Sequence, residues 1–310
     1  MGKKRKRSVS QLDGILVLDK PTGPSSAQCL NTIRRALDQG RIGHAGTLDP
    51  MAKGVLLVLL GHGTKLAPYL TSGRKTYSGQ FRIGQTTDTY DAEGTVTDEK
   101  PFDHLSPEAV EREVLFWKEL ETQTVPPVSA AKHEGKPLYA LARAGREVPV
   151  KTKSIEIFHA EVLEMDLPWV RFRVGCSAGT YVRSLVHSLG IRLGCGAVLT
   201  ELIREDCHPF GLERAVGLDE LLASPERLPE LVVPLRDALP HWPAIVLDEE
   251  QAGQVRNGTW LPVADFPATE PVTEAGANAM LIGPDEVPLA LVESAERDGV
   301  LLWSILRGLW

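Results

Sequence analysis

Residues 44–61 read HAGTLDPMAKGVLLVLLG, a stretch of small, polar and turn-forming residues that runs straight into an almost purely apolar one. The run VLLVLLG (55–61) is short and ends at a glycine, so it reads as a buried strand. Asp49 stands at the mouth of that strand. Pro50 biases the backbone of Asp49 toward extended conformations, and Gly46 permits a close approach of the chain to a ligand. A carboxylate held on so stiff a loop suits a nucleophile, a general base or a metal ligand. An Asx turn or a helix cap, which Asp-Pro sequences often form, is the competing reading.

Outward from this stretch, DGILVLDKP (13–21) reads as a short strand ended by a proline turn. Ser25 or Ser26 then caps a helix through Leu37, with Ala27, Leu30, Ile33 and Leu37 at helical spacing. KTYSGQFRIG (75–84) alternates, with Tyr77, Gly79, Phe81 and Ile83 on one face and Ser78, Gln80 and Arg82 on the other. TTDTYDAEG (86–94) is turn-rich, 106–120 is helical, and 123–148 is broken by Pro and Gly around one short helix, LYALARAG. Residues 155–175 alternate like paired strands, and a helix follows from Gly179 to Leu193. PLRDALPHWPAIVL (234–247) carries three prolines and marks a boundary, beyond which short apolar strands suggest a small β-rich module opened by the helical VLDEEQAGQVRNG.

The chain has 310 residues, 43% apolar and 24% charged, which fits about two globular domains with normal cores. Its apolar runs are far shorter than the roughly 17–25 residues that cross a bilayer. No apolar region follows the basic start MGKKRKRSVS, so a secretory signal is not expected. The four cysteines show no CxxC spacing, and neither a metal site nor a disulfide framework is expected, which points to the cytoplasm. The net charge of −7 is unevenly spread. Residues 211–310 hold 6 Lys/Arg against 17 Asp/Glu, net −11, whereas residues 1–210 hold 28 against 24, net +4. Only the first part looks suited to a polyanion.

GTYVR (179–183) places an aromatic and a fixed cation together, and an arginine is the natural partner for a carboxylate that must stay ionised. Tyr77 reads either as core or as a surface on which a base stacks. No triad spacing, Walker loop or dinucleotide fingerprint is present.

Four blocks taken together, DGILVLDKPTGPSS, GRIGHAGTLDPMAKGVLLVLLGHGTKL, KTYSGQFRIGQTTDTYDAEG and CSAGTYVRSLVHSLG, resemble in content and order the signature blocks of the TruB family of tRNA pseudouridine-55 synthases. They cover most of residues 13–205, and the tail from about 240 is similar to a PUA domain. The resemblance implies an α+β fold. A mixed-sheet catalytic domain would span 13–235, with an RNA-clamping insertion at about 123–152. A basic tail would precede it over 1–12, and a small β-rich PUA-like domain would follow over 240–310. It implies isomerisation of uridine 55 in the T-loop of tRNA, with Asp49 attacking a flipped-out base at carbon 1′ of the ribose or carbon 6 of the uracil.

By the same resemblance His44 fills the space left by the flipped base, and Tyr77 stacks on the uracil and is a candidate acceptor of the carbon-5 proton. Arg183 pairs with the carboxylate, Tyr181 is the aromatic beside it, and Leu202 is an apolar pocket wall. Lys20 sits in the KPxG block, as a substrate contact or in a structural role. Lys132, Lys136, Arg143, Arg146, Lys151 and Lys153 of the insertion and its edge are expected on phosphates, where they position the RNA without reading sequence. No cofactor, metal or obligate protein partner is implied, and the enzyme is expected to be a monomer that binds the T-arm of tRNA. Two departures from the family pattern stand out. The insertion reads PPVSA where an aromatic is usual, and His187 or Ser188 occupies a position often held by Asp. Two other readings remain open: a guide-RNA-dependent, dyskerin-like synthase, and an RNA-binding or tRNA-folding protein.

Overall fold

The structure, a computed structural model, describes residues 12–129, 131–138, 140, 144, 146, 148–266 and 272–310. The basic KKRKR run, Arg143 and most of LYALARAG lie outside these residues.

Strand β1 (Gly14–Lys20) alternates cleanly between two buried faces. Leu16 and Leu18 enter one apolar cluster, Ile15 and Val17 another. β2 (Ile42–Ala45) and β3 (Lys53–Leu60) flank the Asp49 loop and pair antiparallel with each other, so His44 lies on a strand and not on the expected loop. β3 is buried along nearly its whole length, as its unbroken apolar run requires. β4 (Lys75–Ile83) shows the predicted alternation, and β5 (Gln85–Thr87) and β6 (Val96–Glu99) form a small hairpin after it. β7 (Thr122–Thr124) and β10 (Thr152–Ser154) pair at the root of the insertion, and β8 (Lys132–His133) and β9 (Lys136–Pro137) pair within it. β11 (Ile157–Asp166) and β12 (Trp169–Cys176) make the expected hairpin.

β13 (Ala197–Cys207), an eleven-residue strand, was not recognised as one in the sequence. It sits at the centre of the main sheet, whose order is β11-β12-β4-β13-β3-β1-β15. β14 (Phe210–Gly211), β15 (Val216–Gly217) and β16 (Val232–Val233) complete that sheet at its margins. β13 runs antiparallel to β4 and parallel to β3, which makes the sheet mixed. A second sheet, β17 (Ala244–Val246), β18 (Leu261–Pro262), β19 (Asn278–Ile282), β20 (Pro288–Arg297) and β21 (Val300–Gly308), has the order β17-β19-β20-β21-β18 and forms the β-rich C-terminal part.

Helix α1 (Ser26–Ala36) starts at Ser25 through a reciprocal capping box with Gln28. Its buried face, Cys29, Leu30 and Ile33, joins the cluster on one side of the main sheet. α2 (Ala67–Ser72) lies on the other side. α3 (Pro107–Leu115) runs into a 3₁₀ turn that seats Trp117 edge-on against Phe172 at 5.2 Å. A further helix, Val182–Leu193, carries Arg183 at its start. Among the described residues no helix is long and apolar enough to cross a membrane, and no group of three or more His, Cys, Asp or Glu could hold a metal ion.

Candidate active site

The chain leaves β2, turns at Gly46 with φ +84°, and presents Asp49 before re-entering the sheet as β3. A side chain at Gly46 would meet the Arg204 guanidinium at 3.4 Å, so the glycine serves both the turn and the close approach. The loop is tied down on both sides of the carboxylate. The Ser26 hydroxyl, on the first turn of α1, donates to the Leu48 carbonyl at 3.0 Å and accepts from the Leu48 amide at 2.9 Å. The fully buried Lys20 amine donates to the carbonyls of Pro50, Ala52 and Pro21 at 3.2, 2.7 and 2.9 Å. The Gly23 amide adds a bond to the Pro50 carbonyl at 2.9 Å.

Asp49 faces Arg183. Nε of Arg183 lies 2.9 Å from Oδ2 of Asp49, an ion pair whose N–H is not aligned on the oxygen. The arginine side chain is 4% exposed and the aspartate side chain 37%, so a buried cation holds a carboxylate that reaches solvent. The rest of the guanidinium is also committed. Nη1 lies 3.2 Å from the buried carboxylate of Asp91 and donates to the Thr89 carbonyl at 2.8 Å, and Nη2 donates to the Val128 carbonyl at 3.1 Å. A planar fork with several donors can meet four acceptors at once, which a single ammonium cannot do.

Asp91 was read only as part of a turn-rich loop, although it lies in one of the signature blocks. It is 4% exposed, and its Oδ1 accepts from the Thr89 hydroxyl at 2.6 Å and the Glu93 amide at 3.1 Å. Burial, followed by the nearby Asp91 and Asp49 carboxylates, raises the pKa of Glu93 at the edge of this group.

Beneath Asp49 lies a cleft of about 230 Å³, walled by Tyr77, Tyr181, Leu202 and Arg204 among others. Its floor follows from strand register. Tyr77 on β4 pairs with Arg204 on β13, and Gly79 with Leu202. Arg204 is 1% exposed and donates from Nε to the Val55 carbonyl at 2.7 Å and from Nη2 to the Gly46 carbonyl at 3.0 Å. Burial pushes the Tyr77 phenol up to about 12 against the opposing pull of Arg204, so it is neutral at ordinary pH. The buried Lys75 amine, also on the wall, donates to the carbonyls of Thr71 and Gly73, and burial lowers its pKa.

Tyr181 stands just before the Arg183 helix and packs with Val125 and Leu138 of the insertion. Gln123 stitches the two together: its amide donates to the Gly179 carbonyl and its Oε1 accepts from the Tyr181 amide, both at 3.0 Å. Lys153 lies over Gly179, where φ is +80° and a Cβ would collide with its amine, so one expected phosphate contact stands at the cleft rim.

The structure thus brings Asp49, Tyr77, Tyr181, Arg183 and Leu202 together. His44 and Lys20 are not on the cleft wall. His44 sits on β2 with Nδ1 buried and without a hydrogen-bond partner among the described residues, and burial with the nearby Arg204 lowers its pKa. Lys20, grouped with the substrate contacts from the sequence, holds the loop from behind. Lys132 and Lys136 lie on the insertion's β8–β9 pair, and Arg146 is exposed. Asp91, Arg204, Lys75 and Gln123 are the residues that sequence reasoning missed.

The arrangement can present one carboxylate to a small group that rests between an aromatic ring and an apolar wall. Its volume falls below the roughly 300–1,000 Å³ of drug-sized ligand sites, which suits a single planar ring. Comparison with known proteins points the same way. The profile of the TruB family pseudouridylate synthase N-terminal domain matches residues 34–182. The tRNA pseudouridine synthase B of Nitratidesulfovibrio vulgaris strain Hildenborough is 58% identical over 306 residues, 97% of this chain and 99% of that one. The protein of that name from Geobacter sulfurreducens is 42% identical over 303 residues, 96% and 95% of the two chains. Among solved structures, a chain of an H/ACA RNP bound to a substrate RNA containing 2′-deoxyuridine has a TM-score of 0.69 at 23% identity, covering 96% of this chain and 85% of that one. A chain of an archaeal box H/ACA sRNP Nop10–Cbf5 complex has a TM-score of 0.68 at 24% identity, covering 96% and 86%. These structural likenesses speak for the fold alone, whereas full-length identity of 58% decides the family. The chain belongs to the TruB family of pseudouridylate synthases.

Proposed function

We propose that this enzyme, a tRNA pseudouridine synthase by family, acts on uridine 55 of the T-loop with Asp49 as its nucleophile. The observation that carries the reading is the Asp49–Arg183 pair. Asp49, a partly exposed carboxylate on the cleft it shares with Tyr77, is held 2.9 Å from a buried guanidinium. The reaction breaks the bond between N1 of uracil and carbon 1′, turns the base and forms a bond from carbon 5 to carbon 1′. The proton on carbon 5 leaves and N1 ends protonated, so atoms balance without an external reagent. Asp49 attacks at carbon 1′ or carbon 6. Arg183 matches the charge of the carboxylate before attack. Tyr77 offers the face for stacking, and Leu202 and Tyr181 bound the base, which must be flipped out of its stack to reach them. Tyr77 as acceptor of the carbon-5 proton requires its phenolate, and a pKa of about 12 makes that form rare at neutral pH. The insertion supplies phosphate contacts from Lys132, Lys136, Arg143, Arg146, Lys151 and Lys153.

The test uses a T-arm RNA tritiated at carbon 5 of uracil and the purified chain with no partner protein. Wild type is expected to release tritium to water. Asp49→Asn is expected to release none while binding the RNA within about threefold of wild type. Turnover by Asp49→Asn within a few-fold of wild type would remove Asp49 as nucleophile. RNA bound without release by either form would favour a guide-dependent enzyme or a pure RNA-binding protein, and release from a T-arm lacking uridine 55 would overturn the site assignment.

A further inference from the structure

Two aromatic side chains outside the cleft wall have no part in the chemistry above, yet their placement bears on it. The rings of Tyr90 and His187 stack face to face, with centroids 3.6 Å apart and planes within 8°. Tyr90 stands between the two residues that anchor Arg183 from this side: Thr89 gives its carbonyl and Asp91 its carboxylate. His187 follows Arg183 by four residues on the same helix, so the two side chains are neighbours on its surface. The backbone of Tyr90 is left-handed, φ +68°, a region that a bulky residue occupies only when its surroundings impose it. Among the described residues, Nδ1 of His187 and the Ser184 hydroxyl are buried without hydrogen-bond partners. Among the described residues no hydrogen bond through Nδ1 fixes the imidazole, and the stack on Tyr90 is a contact that orients the ring. Both residues line a second cavity of about 320 Å³, together with Thr122, Thr124 and Thr152 at the root of the insertion.

Resting on the reading of Asp49 and Arg183 given above, we propose that Tyr90 and His187 are positioning residues. Their stack clamps the Thr89–Asp91 corner onto the helix and so fixes the guanidinium that holds Asp49. His187 is one of the two residues, with Ser188, at the departure noted in the sequence, and the facing loop supplies a second ring.

Four variants of the full chain test it: Tyr90→Gly, Tyr90→Phe, His187→Ala and His187→Phe. Glycine relaxes the left-handed backbone, so Tyr90→Gly should keep the thermal midpoint of wild type or exceed it. It should nevertheless lower kcat for tritium release about tenfold or more, because small displacements of a catalytic group are costly, while KM and RNA binding stay within about twofold. His187→Ala should show the same split, and both Phe variants should retain kcat. Amide hydrogen exchange over residues 86–94 should accelerate in Tyr90→Gly and His187→Ala and not in the Phe variants. Wild-type kcat in Tyr90→Gly, activity that merely follows the midpoint across the four, or unchanged exchange would each overturn the proposal. If wild type itself releases no tritium, the catalytic reading fails, and the exchange measurement still decides whether the stack holds the loop.

Discussion

Arg183 is 4% exposed and meets two carboxylates and two carbonyls. Removing such a buried charge leaves Asp91 unpaired, a loss of about 3–5 kcal/mol when one partner of a buried pair is deleted. A test of function must therefore keep the charge. Arg183→Lys does so, but one ammonium cannot span the four acceptors. Isomerisation is expected to fall about a hundredfold, on the scale of losing one electrostatic contact in other active sites, with RNA binding retained. Single-turnover tritium release checks this, and a rate within twofold of wild type would show that charge alone suffices. Tyr77 allows a test by pH. Its folded pKa lies above the ordinary value of about 10, so the stability gained by burying the neutral phenol is complete below pH 10. It is lost as pH rises through about 12. The ultraviolet tyrosinate titration of wild type minus that of Tyr77→Phe should show one component near pH 12, and a component near 10 would contradict the buried geometry. Asp49, Tyr77 and Arg183 were legible in the sequence because each lies in a contiguous block with a distinctive neighbour. Asp91 lay in such a block too, but its role depends on a loop folding back onto a helix 92 residues away. Nothing local in TTDTYDAEG announces that contact.

Among the elements, the strands with strong period-two or continuous apolar patterns were readable, and β13 was not. TELIRED places Glu, Arg, Glu and Asp within a short window, which reads as solvated, yet the strand crosses the middle of the sheet. Its polar residues are accommodated one by one. Arg204 reaches the carbonyls of Val55 and Gly46, and Glu205 pairs with Arg173 at 2.9 Å. Tertiary partners overrode the local pattern, and they are invisible without the fold. The same holds for Lys20, whose amine ties the end of β1 to the Asp49 loop through the carbonyls of Pro50 and Ala52. Lys20→Met keeps the length and apolar stem and removes the donors. It should destabilise by about 1–3 kcal/mol, because the Ala52 and Pro21 carbonyls lose the amine and the Pro50 carbonyl keeps only the Gly23 amide. Since Pro50 and Ala52 follow directly on Asp49, kcat should fall while RNA affinity holds. Denaturant unfolding alongside tritium release would check both, and an unchanged kcat at reduced stability would leave Lys20 a purely structural clamp.

For the whole molecule, the charge division between residues 1–210 and 211–310 suggested two parts of different character, with a boundary near the prolines at 234–247. Charge is a surface property and says little about what lies beneath. Below the surface, one apolar cluster crosses that boundary. Ile15, Val17, Val55, Leu57 and Leu59 on the back of the main sheet join Leu235, Leu239, Met280, Ile282, Leu291 and Leu309. The unbroken apolar run of β3 marks it as buried but does not show what covers its second face, because the partner residues from Leu235 onward are more than 170 positions away. Each fully buried aliphatic side chain contributes about 1.5–3 kcal/mol, so this shared cluster is large compared with the 5–15 kcal/mol of a typical domain. The two sheets should therefore unfold together. Leu291→Ala, at a position with no exposed surface, is expected to cost about 2–5 kcal/mol and to lower a single transition in which the two parts and the activity are lost at the same temperature. Calorimetry run beside activity decay decides the matter. Two separated transitions, with tritium release surviving the first, would mean that the acidic C-terminal part is an appendage and that the Asp49 cleft stands without it.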